Sequence, residues 1–115
     1  MATTNEGQSD MTDMRLVLTT TGSVDEARRI AETLIDRKLA ACVNIVPRVV
    51  SIYRWKGKTE ESEEWLLWIK TTAAAFDRLR DTLKEIHSYE LPECMSIAVD
   101  NGSEEYLKWI LDAVK

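Results

Sequence analysis

Few cysteines, a single histidine and the lack of any long apolar run limit what this 115-residue chain can be. Two cysteines are too few for the disulfide framework of a small secreted protein. No stretch approaches the roughly 18 consecutive apolar residues of a membrane helix. The net charge of −5 argues against the concentrated basic face that nucleic-acid binding needs. We therefore expect no nucleic-acid partner, no membrane span and a cytoplasmic protein with reduced thiols.

Motifs for catalysis are also lacking. The sequence contains no glycine-rich phosphate loop, no paired-cysteine motif and no Ser-His-Asp or Cys-His pattern in a recognisable context. One histidine is far short of the roughly four ligands that a closed protein metal site uses. We predict that the protein is not an enzyme and requires no cofactor. An enzyme with an acidic or metal-assisted site remains the less favoured alternative.

Length and composition indicate one globular domain. The chain is 44% hydrophobic, which is ordinary for a folded domain of this size. Its first residues are polar and contain no apolar signal core, so they do not predict a secretory signal. We predict a disordered tail over residues 1–13 and a single domain over residues 14–115.

The first half of the domain predicts a strand, a helix and a long hairpin. A run over 16–21 that is rich in β-branched residues predicts a short buried strand. Ser23 and Glu26 match a capping box, so a helix should follow and end near residue 37 or 38. Residues 42–55 read as extended, with Pro47 at a bulge or an edge because it cannot donate to a ladder. A turn at 56–58 leads into a returning strand over 64–71.

The second half predicts a helix over 72–87, a strand over 94–99 and a last helix capped by Ser103. The order β-α-β-β-α-β-α indicates an α+β fold of the ferredoxin-like βαββαβ type, with a four-stranded antiparallel sheet, helices on one face and an added C-terminal helix. The other sheet face is left apolar and without cover. Such a face needs a partner, and a second copy of the chain is the simplest one.

His87 and Cys42 are the candidate metal ligands. A neutral imidazole suits copper and zinc, and a thiolate suits Cu(I). Each has a structural alternative: a histidine at a helix C-terminus interacts with the helix dipole, and a cysteine among small apolar residues is usually buried. We expect Cys94, on an apolar strand, to pack. The acidic run over 60–64 is more typical of a solvated hairpin arm than of a cation site.

Several fragments, in this order and spacing, resemble the CutA family, whose members are linked to divalent-cation tolerance. They are AACVNI at 40–45, SIYRWKGK at 51–58, IKT at 69–71, HSYELPE at 87–93 and YLKWI at 106–110, with Gly102 between the last two. The resemblance implies a ferredoxin-like protomer in a tight homotrimer similar to that of PII signal proteins, with the long strands pairing between subunits. It also implies copper binding, and it implies no enzymatic activity. The sequence departs from the family pattern with Ser88 and Ala98 where prolines are common and with Thr19 where some members have cysteine.

The resemblance also suggests an inter-subunit cleft. Four polar residues match family motif positions and are cleft or ligand candidates: Glu64, Lys70, Tyr89 and Glu93. They would hold an ion or small ligand, or form an ion pair between subunits, and the nearby Arg54 and Lys56 would favour an anion. Aromatic residues spaced along strands are typical interface anchors, and we assign four of them to the trimer interface: Tyr53, Trp55, Trp65 and Trp68.

Two functions follow from this reading. The first is a non-enzymatic homotrimer involved in divalent-cation tolerance and the response to metal ions, with weak binding of Cu(II) or another divalent cation. The second is a PII-like signalling or adaptor protein that binds a small ligand in the inter-subunit cleft.

Overall fold

A computed structural model describes residues 12–115. The elements are β1 (Met14–Thr21), α1 (Val24–Asp36), β2 (Cys42–Trp55), β3 (Lys58–Thr72), α2 (Phe76–Ile86), β4 (Met95–Ala98) and α3 (Glu104–Ala113). Residues 1–11 of the predicted tail lie outside the described residues. Thr12 and Asp13, the last two residues of the predicted tail, form hydrogen bonds at one end of the sheet. The Thr12 N–H donates to the Val99 carbonyl, and the Asp13 carbonyl accepts from the Ala73 N–H.

The four strands form one antiparallel sheet in the order β2-β3-β1-β4. The chain order and the pairing of β1 with both β3 and β4 are those of a ferredoxin-like α+β fold, as predicted. Strand β1 pairs with only the second half of β3, from Trp65 to Thr72. The rest of β3 and its partner on β2 therefore project as a two-stranded arm over 49–64.

Helices α1 and α2 cover one face of the sheet. The apolar side chains of alternate strand positions, such as Val17, Leu67 and Ile69, point to this face and pack against Ile30 and Leu79 of the helices. Both helices are amphipathic, and their apolar stripes supply the rest of this core together with Leu39 and Ala40 of the segment after α1. The core thus lies between one face of the sheet and the two helices.

Turn chemistry explains how β2 and β3 pair over such a length. Lys56 and Gly57 both have positive φ, as a tight two-residue hairpin turn requires. The register shifts by one residue between Val46 and Val49, so the predicted irregularity at Pro47 is confirmed as a bulge. Arg48, inside the bulge, has a φ of 61°.

Two element boundaries differ from the prediction by four residues or more. Strand β3 begins at Lys58 and not at residue 64, because the ladder to β2 continues through the glutamate-rich arm despite its low strand propensity. Helix α2 begins at Phe76 and not at residue 72. Thr72 remains in the sheet opposite Met14, and its hydroxyl accepts a hydrogen bond from the Ala75 N–H, so the alanines form a turn.

Helix α3 corrects the prediction that the other face of the sheet has no cover from its own chain. Lys70 and Trp68 point away from the α1 and α2 face, and α3 lies against them, with Tyr106 bonded to Lys70 and Ile110 buried. Much of that face still exposes large apolar side chains: Val46, Trp68, Met95 and Ile97.

Within residues 12–115, the helices are all too short and too polar to traverse a bilayer.

Candidate functional site

A cleft of about 580 Å³ lies between the projecting arm and the loop that joins α2 to β4. Its carboxylates are Glu64, Glu90 and Glu93, and its rings belong to Tyr53, Trp55 and Tyr89. Thr20, Ser51, Ile52 and Leu91 complete the lining. The cleft therefore combines acidic groups with aromatic walls.

Glu64 and Tyr89 are joined at the inner end of the cleft. The Tyr89 hydroxyl donates to Oε2 of Glu64 over 2.7 Å, and Glu64 is only 7% exposed. Burial, and then the hydrogen bond to Glu64, raise the pKa of Tyr89 well above 10, so the phenol stays protonated and keeps donating. Pairing between β1 and β3 ends at Trp65, next to Glu64. The hydrogen bond therefore joins the loop to the base of the arm.

Glu93 titrates in the field of Glu64. Burial raises the pKa of Glu93 above its ordinary 4.5, and the nearby Glu64 carboxylate adds to the effect. The effect of Glu64 on Glu93 indicates a region of negative potential at this place, which favours a cation.

His87 holds the start of the loop. Its Nε2 lies 2.7 Å from the Thr20 carbonyl oxygen, and its Nδ1 accepts the Tyr89 N–H over 3.0 Å. A backbone N–H only donates, so Nδ1 carries no proton and Nε2–H donates to Thr20. Glu26 Oε2 lies 3.6 Å from Nδ1, but without a proton there that contact is not an ion pair. As placed, the ring has no free lone pair, and metal binding would require one of these bonds to break.

Glu26 anchors the next residue. Its carboxylate accepts the Ser88 N–H over 2.8 Å and the Ser88 hydroxyl over 2.9 Å, and Arg29 lies 3.7 Å away. Ser23 caps α1 through the Glu26 N–H as predicted. The carboxylate of Glu26 instead binds the loop, so the capping box is only half formed. A proline at position 88 could make neither bond, which gives the departure from the family pattern a structural consequence.

Cys42 and Lys70 lie at the other end of the sheet. Cys42 pairs with Lys70, whereas Thr20, the partner of His87, pairs with Leu66. Four residues of β3 separate the two positions, about 13 Å along the strand. The structure therefore does not bring Cys42 and His87 together, nor Lys70 and the cleft carboxylates.

The ammonium of Lys70 interacts with Tyr106 of α3. It donates to the Tyr106 hydroxyl over 3.0 Å and lies 5.4 Å from the Tyr106 ring centroid, and the hydrogen bond raises the pKa of Lys70. The Cys42 thiol makes one weak contact, 3.8 Å from Asn44 Oδ1. Within residues 12–115, no group of three His, Cys, Asp or Glu side chains is arranged to hold a metal ion.

The four aromatic residues assigned to an interface occupy different surroundings. Tyr53 and Trp55 line the cleft and remain partly exposed. Trp68 is 42% exposed on the incompletely covered sheet face. Trp65 packs against the core on the α1 and α2 face, so its position is that of a core residue of its own chain. Trp65 is only half-buried, and the interface assignment stays a prediction for all four.

Sequence reasoning missed Glu26, Glu90 and Ser51 as neighbours of the site. Glu26 matched a capping box, and only the fold shows that its carboxylate turns to Ser88. Glu90 lies inside the HSYELPE fragment and could have been found there. Ser51 is in the SIYRWKGK fragment, but the sequence gives no sign that it would face the loop.

Comparison with known proteins adds a family assignment. Residues 15–113 match the family model described as "CutA1 divalent ion tolerance protein". The divalent-cation tolerance protein CutA of Thermus thermophilus is 46% identical over 95 residues, which cover 83% of this chain and 92% of that protein. The CutA homolog of Xenopus laevis is 47% identical over 88 residues, which cover 76% of this chain but only 58% of that longer protein.

A solved structure agrees in fold. The structure described as that of the periplasmic divalent cation tolerance protein CutA from Archaeoglobus fulgidus superposes with a TM-score of 0.86 at 39% identity. The superposition covers 89% of this chain and 99% of that one.

Proposed function

Because this chain belongs to the CutA1 divalent ion tolerance family, we propose that it acts as a non-enzymatic homotrimer in the tolerance of divalent cations and the response to metal ions. The family match over residues 15–113 carries the proposal. The lack of a catalytic motif in the sequence supports a role in binding and not in turnover. Turnover of phosphoesters with any added metal would contradict the non-enzymatic part.

We propose a PII-like homotrimer because the sheet face opposite α1 and α2 keeps Val46, Trp68, Met95 and Ile97 each more than a third exposed. Apolar side chains this close together are stabilised when a second surface removes them from water. Light scattering at micromolar concentration tests this, and a stable, folded monomer would contradict it.

We propose weak copper binding with ligands supplied by more than one subunit. One described chain offers no group of three ligand side chains, but a closed ring of copies presents each ligand several times around its axis. Of the two predicted ligands, Cys42 is the better placed. Its thiol has one weak contact, whereas both nitrogens of His87 are engaged in hydrogen bonds.

Copper titrations of four proteins test this assignment. We expect Cys42→Ser to weaken Cu(I) binding about tenfold under reducing conditions, because a hydroxyl is a poor ligand for a soft ion. Cys94→Ser is the matched control and should bind as the wild type does. We expect His87→Ala to leave Cu(II) binding unchanged. A loss of Cu(II) binding in His87→Ala, with the fold intact by circular dichroism, would make His87 the ligand instead.

A second candidate function is a PII-like sensor or adaptor that binds a small ligand in the cleft. The observation that favours it is the volume of about 580 Å³, which is in the range of small-molecule sites and far larger than an ion needs. A thermal-shift screen tests this candidate, because a ligand specific to the folded state must raise its stability.

We propose a cytoplasmic location, supported by the two unpaired thiols. The Archaeoglobus relative is described as periplasmic, so the periplasm is the alternative location to test. Cell fractionation distinguishes them, and recovery of the protein in a periplasmic fraction would overturn the proposal.

A further inference from the structure

We infer that the bulge at Pro47 and Arg48 sets the direction in which the arm leaves the sheet, and thereby fits the arm to a second copy of the chain. The inference rests on the homotrimer proposed above. It adds the local feature on which the fit between copies depends, which neither the family description nor the names of the relatives specify.

The bulge lies where the arm leaves the body of the sheet. The register shift falls between Val46 and Val49, beside Trp65 of β3. Trp65 is also the β3 residue nearest the arm that pairs with β1, where its partner is Thr21. A bulge bends its strand and increases the local twist. At this position the bend changes the direction of the arm and leaves the pairing of the sheet body as it is.

Two fixed registers require β2 to hold a surplus residue between them. In the body, core packing of Ile45 fixes its pairing with Leu67. At the tip, the two-residue turn fixes Trp55 opposite Lys58. From the first pair to the second, β2 advances ten residues and β3 only nine. The surplus residue is absorbed beside Pro47, which has no N–H to donate to the ladder.

Arg48 keeps the bulge in an unfavourable backbone conformation. Its φ of 61° lies in the left-handed region, which residues other than glycine adopt infrequently. The contact between Arg48 Nη1 and Glu63 Oε1, at 3.7 Å, is exposed and contributes little. Strain of this kind persists where the surrounding structure imposes it. The two registers on either side impose it here.

The arm exposes apolar side chains on both of its faces. Ile52 pairs with Glu61, which shares with Trp65 the side of β3 that faces α1 and α2. Ile52 is nevertheless 67% exposed, so the helices do not cover the arm. Tyr53 and Trp55 lie on the other side and are each more than a third exposed. A two-stranded hairpin of this kind is marginally stable alone, so the arm gains stability from a second copy only if it points towards one.

A variant without the surplus residue tests the inference. It combines Pro47→Val with deletion of Arg48, so that β2 and β3 pair regularly from the body to the turn. Because only the surplus residue is removed, every side chain of the arm stays on its present face and the bend alone is lost. Pro47→Val without the deletion is the matched control, because it retains the surplus residue.

Assembly is measured by light scattering and sedimentation over a dilution series, and the fold by circular dichroism. We expect the wild type and Pro47→Val to assemble over the same range of concentration. We expect the variant without the bulge to require a concentration about a hundredfold higher or more. A misdirected arm would withdraw two aromatic anchors from the interface, and each such anchor is worth roughly tenfold or more in affinity.

A second pair of variants decides the question if the first variant does not fold. Arg48→Gly suits a φ of 61°, whereas Arg48→Val places a β-branched side chain in the left-handed region. We expect half-assembly of Arg48→Val at a concentration about tenfold higher than that of Arg48→Gly.

Two results would overturn the inference and leave the homotrimer in place. One is a folded variant without the bulge that assembles at the wild-type concentration. The other, where that variant is unfolded, is equal assembly of Arg48→Gly and Arg48→Val. A monomeric wild type would instead remove the homotrimer proposal together with this inference.

Discussion

The carboxylate of Glu26 should stabilise the loop after α2 more than it stabilises the start of its own helix. A capping box would direct this carboxylate to the Ser23 N–H. In the structure it accepts both the N–H and the hydroxyl of Ser88, 62 residues away in sequence. A capping box would couple Glu26 to Ser23 in free energy of unfolding, whereas the observed bonds would couple it to Ser88. A double-mutant cycle distinguishes the two arrangements.

The magnitude follows from the two bonds. A hydrogen bond to a charged group contributes about 1.5–3 kcal/mol when protected from water, and less where one partner is exposed. The Glu26 side chain is 10% exposed but Ser88 is at the surface, so we take about 1 kcal/mol for each bond. Glu26→Ala should then cost about 2 kcal/mol, and Ser88→Ala about 1 kcal/mol.

The assay is urea unfolding at one fixed protein concentration, since oligomer dissociation would otherwise shift the midpoint. With a slope of about 1–3 kcal/mol per molar urea, a change of 1 kcal/mol moves the midpoint by roughly 0.3–1 M. We expect Glu26→Ala and Ser88→Ala to be coupled by about 1 kcal/mol. Glu32→Ala, an exposed position on the same helix, is the control and should show no coupling to Ser88→Ala.

A coupling energy near zero between positions 26 and 88 would refute the reasoning. In that case Glu26 would act as a helix cap alone, and Ser23→Ala should be the variant to which it is coupled. Hydrogen exchange gives a second readout, because loss of the anchor should expose amides of residues 88–94 before those of the core.

Three further predictions concern single groups. The hydroxyl of Thr19 is buried without a hydrogen-bond partner among the described residues, so Thr19→Val should stabilise the fold by about 1 kcal/mol in urea unfolding; destabilisation would mean that the hydroxyl has a partner. Lys38 follows Arg37, the C-cap of α1, with a φ of 58°, so Lys38→Gly should raise the thermal midpoint by relieving about 0.5–1 kcal/mol of backbone strain, while Lys84→Gly within α2 should lower it. Tyr89 has a raised pKa in the folded protein, so its contribution to stability is full below pH 10 and is lost as pH rises towards the folded pKa; an ultraviolet titration should show one of the three tyrosines ionising late, and Tyr89→Phe should abolish that step.

Helix caps and proline predicted much of the fold, because each acts on the backbone within a few residues. The caps at Ser23 and Ser103 were found from side chains that bind an amide three residues later, and both bonds are present. Pro47 predicted the bulge for a similarly local reason. The start of β3 was predicted six residues late, because glutamates disfavour strands in isolation and the ladder to β2 overrides that preference.

The candidate site could be predicted only in part. The fragment over 87–93 pointed to Tyr89 and Glu93, and both line the cleft with Glu64. Lys70 was grouped with them on the basis of family motifs, although it lies six residues from Glu64 on the same strand, which is about 20 Å. Which groups surround His87 depends on contacts with β1 and α1, and the sequence around position 87 does not contain that information.

By itself the sequence determined the order of helices and strands, the positions of the bulge and of the hairpin turn, and the excess of apolar strand surface. These follow from periodicity, caps and backbone restrictions that act over a few residues. Only the tertiary structure decided that α3 lies on the opposite sheet face, that Glu26 binds the loop and not its own helix, and that the buried Glu64 accepts a hydrogen bond from Tyr89. Those outcomes depend on contacts between residues far apart in the chain, which no local preference specifies.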